Sequence, residues 1–203
     1  MLKRTTGRLL LTLMVITGLA GTLKNGSISL KERKKAINLI KSSRIEVLNS
    51  IKGLSAKQLK YKPGTNDPSI NELTIHMVSL EKKCSDEIKM FMNEQSNPEN
   101  RLKIALTDDQ LLANDSYSLC RTETSEGEKV LFKNATEAIK QFNVMRDHHV
   151  KYIRTSTEDL RNHVVKTSAG WIDCYQYYLL IADRSSYFAD LINKIKASPR
   201  FPK

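Results

Sequence analysis

The chain has 203 residues, 40% of them hydrophobic and 27% charged, with 8 Gly, 5 Pro and 3 Cys. That fits one domain with or without a tail, and excludes a collagen-like, globally disordered or disulfide-scaffolded chain. The formal charge of +11 lies in the N-terminal quarter, unlike a nucleic-acid-binding domain, which spreads its bases over a face built from several elements.

Residues 1–8 are basic, and residues 9–20 (LLLTLMVITGLA) form an apolar run. Gly18 and Ala20 stand at −3 and −1 of a cut before Gly21. This is the layout of a secretory signal peptide, and a twelve-residue helix of about 18 Å is too short to cross a ~30 Å hydrocarbon core. The expectation is an exported, periplasmic or envelope-associated protein. The alternative is a membrane anchor kept at residues 9–20, favoured by the bases that follow, since these hinder translocation. Residues 22–62 carry eleven Lys/Arg against Glu32 and Glu46, whereas residues 63–203 hold 19 bases and 20 acids. A solvated basic helix face explains this, with contact to a membrane surface as the alternative.

The first helix is predicted over about Leu30 to Ile51, with Ile37, Ile40, Val47/Leu48 and Ile51 at helical spacing. Gly53 stops it, and a short turn at 55–59 leads to the breaker Tyr61-Lys62-Pro63-Gly64. Ser69-x-x-Glu72 is a capping box that opens the second helix, which runs to about Asn93. Leu73, Met77, Leu80, Cys84, Ile88 and Phe91 form its core stripe. Residues 95–133 read as a polar excursion with a short helix or turn at 107–113. A second capping box, Asn134-x-x-Glu137, opens the third helix, whose apolar line is Ala138, Phe142, Met145, His149 and Tyr152. Residues 157–170 read as loop and turn, and the fourth helix as about Trp171 to Lys196, with strand content near zero. The domain organisation is 1–20 as signal or anchor and 21–203 as one all-α four-helix bundle.

The chain has no P-loop, G-x-G-x-x-G, H-E-x-x-H or G-x-S-x-G motif. His76 borders the inward stripe of the second helix and His149 lies on the core line of the third. Each reads equally as a half-buried, hydrogen-bonded histidine or as a ligand. His148 is expected to be exposed, and His163 falls in a loop. Asp183 and Tyr187 share a face of the fourth helix at i, i+4, as a metal-binding or a simply hydrogen-bonded pair. Tyr175, Tyr177 and Tyr178 read as core or dimer packing. Cys84 reads as an inert core thiol and Cys120 as the exposed, oxidisable one.

Leu59-Lys60-Tyr61-Lys62-Pro63 followed by Ser69-Ile70-Asn71-Glu72-Leu73-x-x-His76 resembles the opening motif of the DinB-like (YfiT-type) superfamily. Leu160-Arg161-Asn162-His163 and Gly170-Trp171-x-Asp173-x-Tyr175-Gln176 resemble the lead into that family's fourth helix. The resemblance covers about residues 30–198 and implies an up-down-down-up bundle, often dimeric. Family members include thiol-dependent transferases and metal-dependent hydrolases. It also implies a three-histidine site for a divalent cation, with His76 as first ligand and an H-x-x-R-H-x-x-Q motif on the fourth helix supplying the others. Here the second and third ligand positions fall on Asp183 and Tyr187, with Ser186 for the arginine and Asp190 for the glutamine. The expected cofactor is therefore none, or a weakly held zinc, nickel, manganese or iron ion. Three functions follow. The first is a degenerate DinB-like binding module without metal catalysis. The second is a metal-dependent hydrolase or thiol transferase using His76, Asp183 and His149. The third is a basic protein touching anionic lipid or nucleic acid, nucleic acid being the weaker partner. A small-molecule substrate is not specified by the residues.

Overall fold

The computed structural model describes residues 28–113, 131–167 and 170–203. The signal or anchor segment at 1–20, the cut before Gly21, Cys120 and the Ser168-Ala169 turn lie outside the described residues.

Local hydrogen bonds set the helix ends. Helix α1, Leu30–Ile51, starts at Ser29, whose hydroxyl accepts from the Glu32 N–H while the Glu32 carboxylate accepts from the Ser29 N–H. It stops before Gly53, whose φ of +74° is the left-handed region where glycine has no Cβ penalty. A short helix, α2 (Ala56–Leu59), follows with its own capping box from Ser55 and Gln58. Helix α3, Ile70–Met92, opens with the box the sequence predicts, Ser69 with Glu72. The polar excursion contains a 3₁₀ turn, Pro98–Lys103, and helix α4, Asp108–Ala113. Helix α5, Ala135–Thr155, is capped by the Asn134 side chain, but the Glu137 carboxylate turns to the Lys133 N–H at 2.8 Å, so this box does not close on the cap.

The fourth long helix starts later than its sequence predicts. Trp171 belongs to a two-stranded antiparallel hairpin, β1 (Val164–Thr167) and β2 (Gly170–Asp173). β-branched Val165 and Ile172 face each other in register and are buried, which makes a strand pair of what reads as a loop. Gly170, at φ +94°, supplies the turn geometry. Helix α6 then runs Cys174–Lys196, capped by Asp173 in a box with Gln176.

Contacts between the long helices give their directions. Arg33 near the start of α1 donates to the Ile153 and Ser156 carbonyls at the end of α5, so α1 and α5 are antiparallel. Tyr175 donates to the Glu32 carbonyl and Lys196 to the Ser50 carbonyl, so α1 and α6 are parallel. Asn71 accepts from the Ala135 N–H and Glu81 meets Arg146, so α3 and α5 are parallel. Tyr177 meets Glu87 and His76 meets Phe188, so α3 and α6 are antiparallel. The bundle is up-down-down-up, with α1 and α6 running against α3 and α5.

The apolar interior is in two halves. One holds Ile40, Ile88, Ile153 and the first part of α6, and the other holds Leu73, Met77, Leu80, Phe142, Phe188 and Ile192. Of the core residues named from periodicity, Leu73, Met77, Leu80, Ala138, Phe142 and Met145 share the second half, while Cys84 and Ile88 fall in the first. At the end near the hairpin, Arg161 binds Glu32, Asp108 and Asp173 at 2.6–3.0 Å and lies 4.1 Å over the Tyr175 ring. One guanidinium thus ties α1, α4 and the cap of α6 together, a use of its planar fork that lysine would not reproduce.

Candidate functional site

The positions that the resemblance pairs with metal ligands, His76, Asp183 and Tyr187, lie where α3 meets α6. His76 is half-buried and its ring stands edge-on to Phe188, with centroids 5.8 Å apart. Tyr187 packs on the same Phe188 ring, also at 5.8 Å. Asp183, one turn before Tyr187, is half-buried. A three-histidine site needs three nitrogen donors facing one point, and this junction offers one imidazole, one carboxylate and one phenol beside an aromatic ring. Among the described residues no three His, Cys, Asp or Glu side chains come together as a metal site would require. The residues present do not fit the family's ion.

His149 sits elsewhere, in the seam between α3 and α5. Its partner there, Ser85, lies nine residues beyond His76, about 13 Å along α3. His148, its neighbour, is exposed, and His163 hydrogen-bonds the Asp159 and Glu94 carbonyls. Tyr175, Tyr177 and Tyr178 are buried, as core packing requires, but each points to a different partner: Tyr175 to Glu32, Tyr177 to Glu87, and Tyr178 edge-on to His149. Cys84 is buried, and burial pushes its thiol up, in keeping with an inert core cysteine.

Between the two apolar halves runs a buried polar layer to which every long helix contributes. Arg146 of α5, fully buried, donates to Glu81 of α3 at 2.9 Å, to Ser43 of α1 at 3.1 Å, and to Ser185 of α6. Periodicity missed this layer because charged residues were left out of the apolar lines. The signal was present: Glu81 follows Met77 by four residues, and Arg146 lies between Phe142 and His149. The layer continues into His149, whose Nε2 is 2.8 Å from Ser85 Oγ and whose Nδ1 is 3.6 Å from Glu81 Oε1. Burial raises the Glu81 carboxyl against the pull of Arg146.

Burial first, then the Arg146 charge, push the His149 imidazole down to about 3. In the unfolded chain it would titrate near 6.5, so the unfolded state binds a proton the folded state refuses. The resulting stability is complete above that value and is lost as pH falls towards 3. Between pH 7 and pH 5 the unaltered protein should lose about 2 kcal/mol more than His149→Gln, the difference removing every other titrating group. Urea unfolding at the two pH values checks this, and equal losses would mean the imidazole is not held neutral.

Ser85, His149 and Tyr178 also line a cleft of about 530 Å³ between α3 and α5. Its walls include Ile88, Met92, Val144 and Met145, and Lys82, Asp86, Lys89 and Glu158 also line it. A second opening near Arg161 is lined by the ion-paired residues already described.

The up-down-down-up order of these four helices is that of the DinB-like (YfiT-type) fold. A solved structure shares it: YfiT from Bacillus subtilis, described as a probable metal-dependent hydrolase with an unusual four-helix bundle topology. The two are similar with a TM-score of 0.56 at 10% sequence identity, over 84% of this chain and 89% of that one. No family model matches the sequence, and no curated protein sequence matches it.

Proposed function

We propose that this chain is a DinB-like bundle that works without the three-histidine metal chemistry and binds its ligand in the α3/α5 cleft. The observation that carries the reading is the chemistry of α6: Asp183 and Tyr187 stand where the resemblance requires histidines, beside the Phe188 ring on which His76 packs. YfiT's description as a probable metal-dependent hydrolase supports ancestry in a metal-binding fold, and the altered donor set supports loss of that ion here. The layout of residues 1–20 supports delivery to the envelope. The exposed Lys31, Lys34 and Lys41 on α1 support contact with an anionic surface there.

Protein purified without chelators should hold sub-stoichiometric metal by elemental analysis. Asp183→His plus Tyr187→His would restore two imidazoles one turn apart and should bring stoichiometric zinc or nickel, abolished again by His76→Ala. Stoichiometric metal in the unaltered protein, lost on Asp183→Ala, would overturn the reading. No gain in the double variant would count against the match of α6 to the family motif.

A further inference from the structure

We infer that the solvent face of α1 docks the bundle on a bilayer that carries anionic phospholipid, with the helix lying along the headgroup layer. The inference rests on the proposed contact with an anionic surface and adds to it the face, the pose and the lipid chemistry.

At about 100° per residue, Leu30, Lys31, Lys34, Asn38, Lys41 and Ile45 fall within an arc of about 100° on α1. All six are exposed, Leu30 by 85% and Ile45 by 58%. The buried residues Ala36, Ile40, Ser43 and Val47 lie on the opposite side of the helix, so the stripe points straight away from the core. No acid falls within it. Glu32 is turned to Arg161 at 2.7 Å, and Glu46 is about 100° round from Ile45. Asp109, whose charge also reaches Lys31, is held by Lys35 at 2.6 Å. Lys31, Lys34 and Lys41 form no ion pair among the described residues. A helix face shaped only for solubility mixes both signs, as α3 does where Lys82 and Lys89 flank Asp86.

Three cations and two large aliphatic side chains on one line fit a lipid surface in two ways. The ammonium groups meet lipid phosphates, with their aliphatic stems lying along the stripe. Leu30 and Ile45, about 22 Å apart along the helix, enter the boundary between headgroups and acyl chains. Two insertion points at that separation hold the helix parallel to the membrane plane. Duplex nucleic acid fits less well. Its phosphates would take the lysines, but Leu30 and Ile45 would meet a charged backbone, and the stripe has no arginine or aromatic side chain to read or stack on bases.

The sequence adds the placement. Ile28 is buried at the foot of α1, and residues 21–27 separate it from the apolar run at 9–20, a reach of about 27 Å at full extension. An anchor kept at 9–20 would hold the start of α1 near the membrane, and the stripe supplies the same attraction if that segment is cut.

The test uses the full chain at physiological salt with vesicles of phosphatidylcholine, alone or with a third of phosphatidylglycerol. Lysine acetylation by a succinimidyl ester is read residue by residue by mass spectrometry. On the anionic vesicles Lys31, Lys34 and Lys41 should lose reactivity about fivefold or more, and on the neutral ones they should keep it. Exposed Lys83 is the control, because α3 lies across the bundle from α1, whose neighbours are α5 and α6. It should react equally in both. Lys34→Glu should restore acetylation of Lys31 and Lys41 on the anionic vesicles, whereas Lys83→Glu should not. Ile45→Ser should raise the lipid concentration for half-protection by about threefold. Binding to anionic vesicles with the stripe still reactive, or protection that Lys34→Glu and Lys83→Glu change alike, would overturn the docking face and leave contact through another part of the chain. Protection by duplex DNA but not by anionic vesicles would overturn the lipid assignment in favour of nucleic acid. Failure to bind anionic vesicles in preference to neutral ones would overturn the surface-contact reading and the inference with it.

Discussion

Arg146→Ala is expected to destabilise the fold by about 3–5 kcal/mol, measured as a shift in the urea midpoint at unchanged m-value. The guanidinium is fully buried and binds one side chain from each of the other three long helices. Removing it leaves the Glu81 carboxylate in a dry interior without its counter-charge, which costs more than the pair contributes when intact. The double variant Glu81→Met plus Arg146→Met removes both charges at once and should recover most of the loss. A cost below ~1 kcal/mol for Arg146→Ala would mean that water reaches the layer, and no recovery in the double variant would mean that Ser43 and Ser185 hold Arg146 more than Glu81 does.

Phe142→Ala should cost a similar amount, about 3–5 kcal/mol, because the ring is fully buried in the half of the core that holds Leu73, Met77 and Leu80. Its face also supports the polar layer, since the Arg146 guanidinium carbon lies 4.8 Å from the ring centroid. The two losses should therefore fail to add in a Phe142→Ala, Arg146→Ala cycle, unlike substitutions at separate sites. Additive losses, or a Phe142→Ala cost below ~1 kcal/mol, would place that face of α5 away from the core.

Much of the architecture is readable before any coordinates. Ser69 with Glu72 opens α3 where expected, and Gly53 closes α1, because caps and stops act over three or four residues of one chain. The stripe of α3 and the line of α5 are buried but for the half-buried Phe91 and Tyr152, for the same local reason: a period of 3.6 puts them on one face. The hairpin escaped because four-residue strands leave too little alternation to read, and Val165 pairs with Ile172 only once the chain has turned back.

The chemistry divides along the same line. It was the resemblance to the family's motifs that paired His76, Asp183 and Tyr187 with ligand positions, and the residue types there show the set as altered, since the donor atoms of a side chain are properties of the residue. Neither the resemblance nor the residue types could join Ser85 to His149, 64 positions apart, or Glu81 to Arg146, 65 apart. Those pairs exist because α3 and α5 run in the same direction at one rotation and register, which no single helix specifies. A charged residue inside an apolar stripe reads as an interruption until its partner arrives from another helix. Only the assembled bundle, by drying the layer, turns those two interruptions, with Ser85 and His149 beside them, into one connected network.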